Sequence, residues 1–547
     1  MNENSFSVQG RIVDVVSGRV FPGTVEVSDG KISAVKEEEV KETVYILPGL
    51  VDAHIHIESS MLIPSEFARL AVIQGTVATV SDPHEIANVL GVAGIRFMIA
   101  NGKKVPFKFY FGASSCVPAT PFETSGASLG VEEIDELLQM PEIGYLSEMM
   151  NFPGVLLEDD IVMAKLALAR KYGKPVDGHA PGLRGEDARK YIQAGISTDH
   201  ECFTLEEATD KAGFGMNILI REGSAARNFD TLAPLLDTFP ELVMFCSDDR
   251  HPDDLARRHI NDIARRAILK GYNLISVIRA CTLNPKRHYK LENGLLQIGD
   301  PADFILIDDP GTFRVLKTYI DGILVAEKGK TLIGSVPETP VNCFNARRIN
   351  PGELGVKPLG KKIRVIEALE GQLITHELTE ASTVDKDNVV SDPASDVLKM
   401  TVLNRYAHSF PAVAFIRNFG LKRGAIASTV AHDSHNIIAV GVKDEDIARA
   451  VNTLVDSCGG ICCIDGENIY HLPLPVAGLM SVSDGFEIAA KYEQLDQKAR
   501  ALGSHLNAPF MTLSFMALLV IPELKLSDRG LFDGTSFNFT SLFLDQI

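Results

Sequence analysis

The chain has 547 residues, 45% of them hydrophobic and 23% charged, which is enough for two or three domains, each with its own apolar core. A formal net charge of −19 excludes the electrostatic footprint of a protein built to grip a nucleic-acid backbone and suits a small neutral or cationic substrate. The eight cysteines contain no Cys-x-x-Cys pair. Cys458, Cys462 and Cys463 lie close together but have no second pair to complete a thiolate zinc site, so free thiols in a reducing compartment are expected.

Met1-Asn-Glu-Asn-Ser5 lacks the basic and apolar regions of a signal peptide. The most apolar stretch, 510–521, is too short to span a bilayer and is expected to form a core element. A cytoplasmic protein with no membrane partner follows as the expectation.

In chain order, the first 45 or so residues read as short β-branched strands: Phe6-Ser-Val-Gln9, 11–16 and 23–28. Turns at Val16-Ser-Gly18 and Ser28-Asp-Gly-Lys31 separate them, with Asp29-Gly30 as a hairpin turn. From residue 48 strands and helices alternate. Strands are predicted at 49–54, 76–81, 107–112, 144–148, 174–178, 195–199, 215–220 and 242–247. Helices are predicted at 65–74, 86–100, 131–138, 156–172, 185–193, 205–212, 228–237 and 252–270. Eight strands, each followed by a helix, predict a (β/α)8 TIM-type barrel over 48–290. Strands then return at 294–298, 302–308, 315–320 and 323–326, with a hairpin at Tyr319-Ile-Asp-Gly322. This piece, 291–335, is expected to join residues 1–47 in a small β-sandwich built from both flanks of the barrel. Residues 336–350 read as a linker, and 345–547 as a C-terminal domain of mixed α/β pattern.

His54 and His56 lie one residue apart on the first barrel strand. Side chains at i and i+2 share a strand face, so both imidazoles project together and are placed to grip one cation. Glu148, His179, His200 and Asp248 end the predicted strands four, five, six and eight, on the face where barrels of this kind build their sites. The set suits two divalent cations: one with His54, His56 and Asp248, the other with His179 and His200, and Glu148 as the bridge. Nitrogen and oxygen donors without thiolate fit manganese, ferrous iron or zinc better than calcium. Asp249 competes with Asp248 for the last position. Glu58, His84 and Glu85 form a second group, read either as an accessory metal or substrate site or as supporting hydrogen bonds. Ala431-His-Asp-Ser-His435 also looks like a ligand cluster, but a polar turn is the commoner origin of such a run. His56-Ile-Glu58 matches the His-x-Glu of zinc base-flipping deaminases, but their Pro-Cys-x-x-Cys element is missing.

Leu47-Pro-Gly-Leu-Val-Asp-Ala-His-Ile-His56 is similar to the hallmark of the amidohydrolase superfamily, and Gly299-Asp-Pro-Ala-Asp-Phe-Ile-Leu-Ile-Asp308 resembles its return into the flanking sheet. Five further tracts resemble the adenine deaminase family of that group: His54-Ile-His-Ile-Glu-Ser-Ser60, Asp82-Pro-His-Glu-Ile-Ala-Asn88, Asp177-Gly-His-Ala-Pro181, Thr198-Asp-His-Glu201 and Ser247-Asp-Asp-Arg-His251. In the C-terminal domain, Gly459-Gly460 and 472–480 do so as well. The resemblance implies a two-metal barrel, with manganese or ferrous iron, that turns adenine and water into hypoxanthine and ammonia in purine salvage. Many superfamily members bridge their metals with a carbamylated lysine on strand four. Here Glu148 takes that place, which favours the deaminase over hydrolases of hydantoins or dihydropyrimidines. Another nucleobase as substrate and a non-catalytic scaffold stay as alternatives. The mechanism expected on this basis uses Asp248 as proton shuttle, His200 to stabilise the tetrahedral centre and Glu58 as donor to ring N1. A homo-oligomer, guessed as a dimer, is expected.

Overall fold

The computed structural model describes residues 5–545. Both flanks of the barrel meet in one hydrogen-bonded sheet of eight strands. Ser5–Asp14, Arg19–Ser28, Lys31–Glu37 and Tyr45–Pro48 supply one half; Phe304–Ile307, Val315–Ile320, Ile323–Glu327 and Lys330–Thr331 supply the other. Tyr45–Pro48 is the joint, parallel to Ser5–Asp14 on one side and antiparallel to Phe304–Ile307 on the other. Asp29 and Gly30 turn with φ of 51° and 76°, Asp321 and Gly322 with 48° and 75°, the geometry that Asp-Gly favours in two-residue hairpins. Phe6 stacks on Tyr319 with ring centroids 5.2 Å apart, although two strands stand between theirs. A flat sheet would hold them about 14 Å apart at ~4.8 Å per strand. The sheet therefore curls over a core of its own that includes Ile12, Val25, Phe304 and Leu306. The segment Gly294-Leu-Leu-Gln-Ile298, expected as a strand, is not one. Asp300 accepts the amides of Leu295 and Gln297 at 2.7 and 3.2 Å, which diverts those donors from any strand neighbour.

Between the flanks run the barrel strands, labelled β1 (Leu50–His56), β2 (Thr76–Ser81), β3 (Lys108–Ala113), β4 (Ile143–Met149), β5 (Val176–Gly178), β6 (Thr198–Asp199), β7 (Asn217–Arg221) and β8 (Val243–Cys246). All pairings along the series are parallel. The ring closes in two places: a bridge joins Val176 to Ile196 between β5 and β6, and Asp248 and Asp249 pair with Ile55 and His56 of β1. Every residue of β1 is buried, as its unbroken apolar run predicts for a strand covered on both faces.

Four of the predicted helices are broken. Gly91, at φ 60° and ψ −145°, separates His84–Leu90 from Val92–Gly102. Glu158 has φ 58°, and Asp159 then caps Asp160–Tyr172 through the amides of Ile161 and Val162. Pro234 divides Phe229–Leu232 from Leu235–Thr238, and extended Arg258 divides Pro252–Arg257 from Ile260–Leu269. Apolar spacing runs straight through these points, but backbone caps and the proline do not allow one helix to do so.

Residues 336–350 carry no regular element. Beyond them lies a second eight-stranded sheet, containing Lys362–Ala368, Val397–Leu403, Ala425–Ser428, Ile437–Gly441 and Gly460–Asp465. Its side chains alternate as a strand requires. Ala425 and Ala427 pack under the helix Asp444–Asp456, whereas Ile426 belongs to the core continuous with the barrel. The apolar tract near 510–521 opens with the buried helix Pro509–Phe515. Among the described residues no helix is long and apolar enough to cross a membrane.

Candidate metal centre

The β1 alternation places two imidazoles on one side, and their Nε2 atoms stand 3.2 Å apart. Glu148, from the end of β4, presents Oε1 at 2.9 Å from both of those nitrogens. Asp248, just past β8, presents Oδ1 at 3.6 Å from His54 Nε2 and 3.3 Å from His56 Nε2. The other oxygen of Glu148, Oε2, lies 2.9 Å from His179 Nδ1. His200 Nε2 is 3.9 Å from Glu148 Oε1, and its ring stacks on His54 with centroids 4.2 Å apart. All six expected groups thus converge, with Glu148 Oε1 facing His54, His56 and His200 and Oε2 facing His179, and none is more than 7% exposed. Despite these short approaches Glu148 Oε1 makes no hydrogen bond. Lone pairs converging on one point without hydrogen-bond geometry are what a cation needs, and the donor set of nitrogen and oxygen fits a divalent transition metal.

The electrostatics agree. Burial works to lower His54 and His56, but Glu148 and Asp248 overcome it, holding His54 up at about 10 and His56 well above its usual value. Burial works to raise Glu148, but His200, His56 and His54 hold it well below the carboxylate range. Asp248 is held down likewise, by Arg221 and then the two histidines. His200 moves the other way: burial, then the charge on His54, push it well down. A field strong enough to keep protons on buried imidazoles is one that attracts a divalent cation.

Asp248, not Asp249, turns into the cluster, with a left-handed φ of 53° that a non-glycine residue adopts only under constraint. Its backbone is held by β1: Asp52 accepts Ser247 N at 3.0 Å and is bonded by His259 Nε2 at 2.8 Å. Its side chain is held by Arg221, whose Nη1 lies 2.7 Å from Asp248 Oδ2. Arg221 also grips Glu201 through both nitrogens of its fork, with Nη2 to Oε2 at 3.0 Å. Glu201 stands 3.4 Å from His200 Nε2 and 3.8 Å from His179 Nδ1. Sequence reasoning passed over Arg221 and Glu201. Their signal was position alone: Arg221 ends β7, a strand that supplies no expected ligand, and Glu201 follows His200.

The second expected group divides. His84 reaches the centre: its ring meets His56 edge-on at 4.5 Å, and Asp82 Oδ2 accepts from its Nδ1 at 3.2 Å. Glu58 does not reach it. It is fully buried, accepts the amide of Ile86 at 3.2 Å, and is absent from the cavity wall. Burial, reinforced by Glu85, raises it to about 8. Glu201 does line the cavity. The His432–His435 tract is a polar turn, as expected, but a buried one. Its four residues are at most 4% exposed, and Asp433 Oδ1 lies 3.7 Å from His84 Nε2.

The cavity over the centre is bounded by His56, Glu148, His179, His200 and Asp248 from the barrel, and by Leu373, His432, Phe515 and Leu518 from the C-terminal domain. That domain therefore caps the barrel mouth. The walls close in on the centre and leave a cavity of about 30 Å³. A larger cavity of about 530 Å³ on the outer side of the seam is lined by charged groups already paired with each other, such as Arg257 with Asp253 and Arg258 with Asp254.

Residues 45–325 match the model of the amidohydrolase family, and residues 372–538 that of the adenine deaminase C-terminal domain. The adenine deaminase of Methanosarcina barkeri is 56% identical over 98% of this chain and 99% of its own length. That of a Sulfurovum species is 57% identical over 97% and 98%, and that of Borreliella burgdorferi 46% over 98% and 99%. With its barrel and its cap both matched by family models and nearly its whole length by these relatives, the chain belongs to the amidohydrolase family, among its adenine deaminases.

Proposed function

We propose that the protein hydrolyses adenine at C6, one adenine and one water giving one hypoxanthine and one ammonia. The observation that carries this is the convergence of His54, His56, Glu148, His179, His200 and Asp248 beneath a cap of the adenine deaminase type. Relatives carrying that name are 45–57% identical over nearly the whole chain.

His54, His56 and Asp248 would hold one divalent cation, His179 and His200 a second, with Glu148 between them. Manganese is the metal proposed; ferrous iron and zinc accept the same donors. When bound, such ions supply Lewis-acid charge and lower the pKa of water enough for hydroxide to exist near neutral pH. The chain's own groups do the rest. Asp248, with Oδ2 tied to Arg221, keeps Oδ1 for the reacting side, where it takes the proton of the attacking water and passes it to the departing amine. His200 borders the same point and offsets charge developing at the tetrahedral carbon. Glu201, which lines the wall, is the group proposed to relay a proton to ring N1. Phe515, Leu518, Leu373 and Met150 give the flat base apolar contact and exclude water when the cap is closed.

The enzyme is placed in the cytoplasm, in purine salvage, as a homo-oligomer; its eight thiols are all free, which suits a reducing compartment. The test is ammonia release by the manganese-loaded protein across adenine, guanine, cytosine, adenosine, hydantoin and dihydropyrimidine. Adenine is expected to be the substrate turned over. Turnover of hydantoin with none of adenine overturns the assignment.

A further inference from the structure

Deamination as derived above leaves a second group of ligand-type side chains unused, on the seam between barrel and cap. Glu85 lies in the first turn of the helix after β2, Asp249 follows β8, and His432 comes from the cap. Each offers a ligand atom within 4.8 Å of the others. His432 Nδ1 is 3.5 Å from Glu85 Oε1, and its Nε2 is 3.9 Å from Asp249 Oδ1. Between the carboxylates stands Ser59, with Oγ at 2.8 Å from Glu85 Oε1 and 2.6 Å from Asp249 Oδ1. A hydroxyl has a single proton, so it satisfies one of these oxygens and leaves the other facing it without a donor. Glu85 Oε2 has no hydrogen-bond partner at all and the residue is fully buried. His435 stands behind. Its Nδ1 accepts the amide of Ala431 at 3.2 Å, which puts the ring proton of the neutral form on Nε2, 3.9 Å from Glu85 Oε2. At that distance it makes no hydrogen bond to Glu85.

Two carboxylates this close, one fully buried and one partly so, repel until a proton or a cation stands between them. We propose that Glu85, Asp249 and His432 bind a third divalent cation, distinct from the pair in the barrel, which fastens the cap to the barrel mouth. Two carboxylates and an imidazole suit manganese, ferrous iron or zinc, with water completing the shell, and Ser59 holds the two carboxylates in register. Two ligands come from the barrel and one from the cap. The ion therefore fixes His432, and with it Phe515, whose ring stacks on His432 with centroids 4.8 Å apart in the wall over the substrate.

The test counts metal and does not depend on turnover. Protein loaded with Mn(II) is freed of loosely held ions by gel filtration and assayed by mass spectrometry. The wild type is expected to keep about three ions per chain, and Glu85→Gln and His432→Asn about two each. Circular dichroism serves as the folding control for the two variants, which alter opposite sides of the seam. A folded variant that keeps the wild-type count overturns the proposal. So does a wild-type count of two, which leaves the barrel pair standing; a count below two removes the barrel pair as well.

Discussion

Arg221 is the most informative residue to change, because two carboxylates at the centre depend on one fully buried guanidinium. It is 2% exposed, bonds Glu201 through both fork nitrogens, and reaches Asp248 Oδ2 at 2.7 Å. Arg221→Met keeps much of the volume and removes the charge. Breaking a buried ion pair on one side costs about 3–5 kcal/mol of stability, since Glu201 and Asp248 lose their counter-charge without reaching water. The effect on rate follows from the Asp248 contact. One charge-assisted hydrogen bond is worth about 1.5–3 kcal/mol, and at ~1.36 kcal/mol per tenfold its loss lowers kcat about 10- to 150-fold. Arg221→Lys restores the charge without the fork and is expected to recover part of the stability and less of the rate. Urea midpoints at fixed metal concentration, with kcat for ammonia release, measure both effects. An Arg221→Met protein with the wild-type midpoint and the wild-type kcat refutes the role given to this residue.

Asp248→Asn should fold normally and lose about 10²- to 10⁴-fold in kcat, measured by ammonia release; near-normal turnover removes the shuttle role. Glu201→Gln should depress kcat far more than Glu58→Gln, and the reverse order in a steady-state comparison would return the ring-facing acid to Glu58. Dialysis against a chelator should abolish ammonia release and Mn(II) should restore it; activity that survives complete metal removal, checked by elemental analysis, contradicts the centre. Lys525 is fully buried beneath the cap wall, donating to Leu373 O and Phe515 O at 2.7 and 3.1 Å, and burial lowers its pKa from 10.5 to about 7. Between those values the unfolded chain carries the proton and the folded one does not, so stability rises with pH. The difference between wild type and Lys525→Met should grow by up to about 1 kcal/mol per pH unit from pH ~7 to ~10, and a flat difference in urea titrations would count against it.

The sequence by itself determined the barrel and pointed to the candidate ligands that the fold brings together. Strand alternation, turn residues and β-branched runs are local properties, legible residue by residue, and a ligand at a strand's C-terminal end needs only the strand to be found. His54, His56, Glu148, His179, His200 and Asp248 were all readable for that reason, as were the Asp29-Gly30 and Asp321-Gly322 hairpins. Helix interruptions at Gly91, Glu158, Pro234 and Arg258 were less legible, because apolar spacing continues across a cap. What only the tertiary structure decided depends on partners far apart in the chain. Arg221 means little until β7 stands beside β8 and the ends of β6 and β8 bring Glu201 and Asp248 to one guanidinium. Glu58 looks like a site residue in its motif, but its carboxylate accepts the Ile86 amide and lies outside the cavity lining. His432 and Asp433 do form a turn, but only docking of the cap, nearly 350 residues after His84 and Glu85, buries that turn over the barrel mouth. Docking of that kind is set by the shape and charge of two finished surfaces, and no periodicity within either one encodes it.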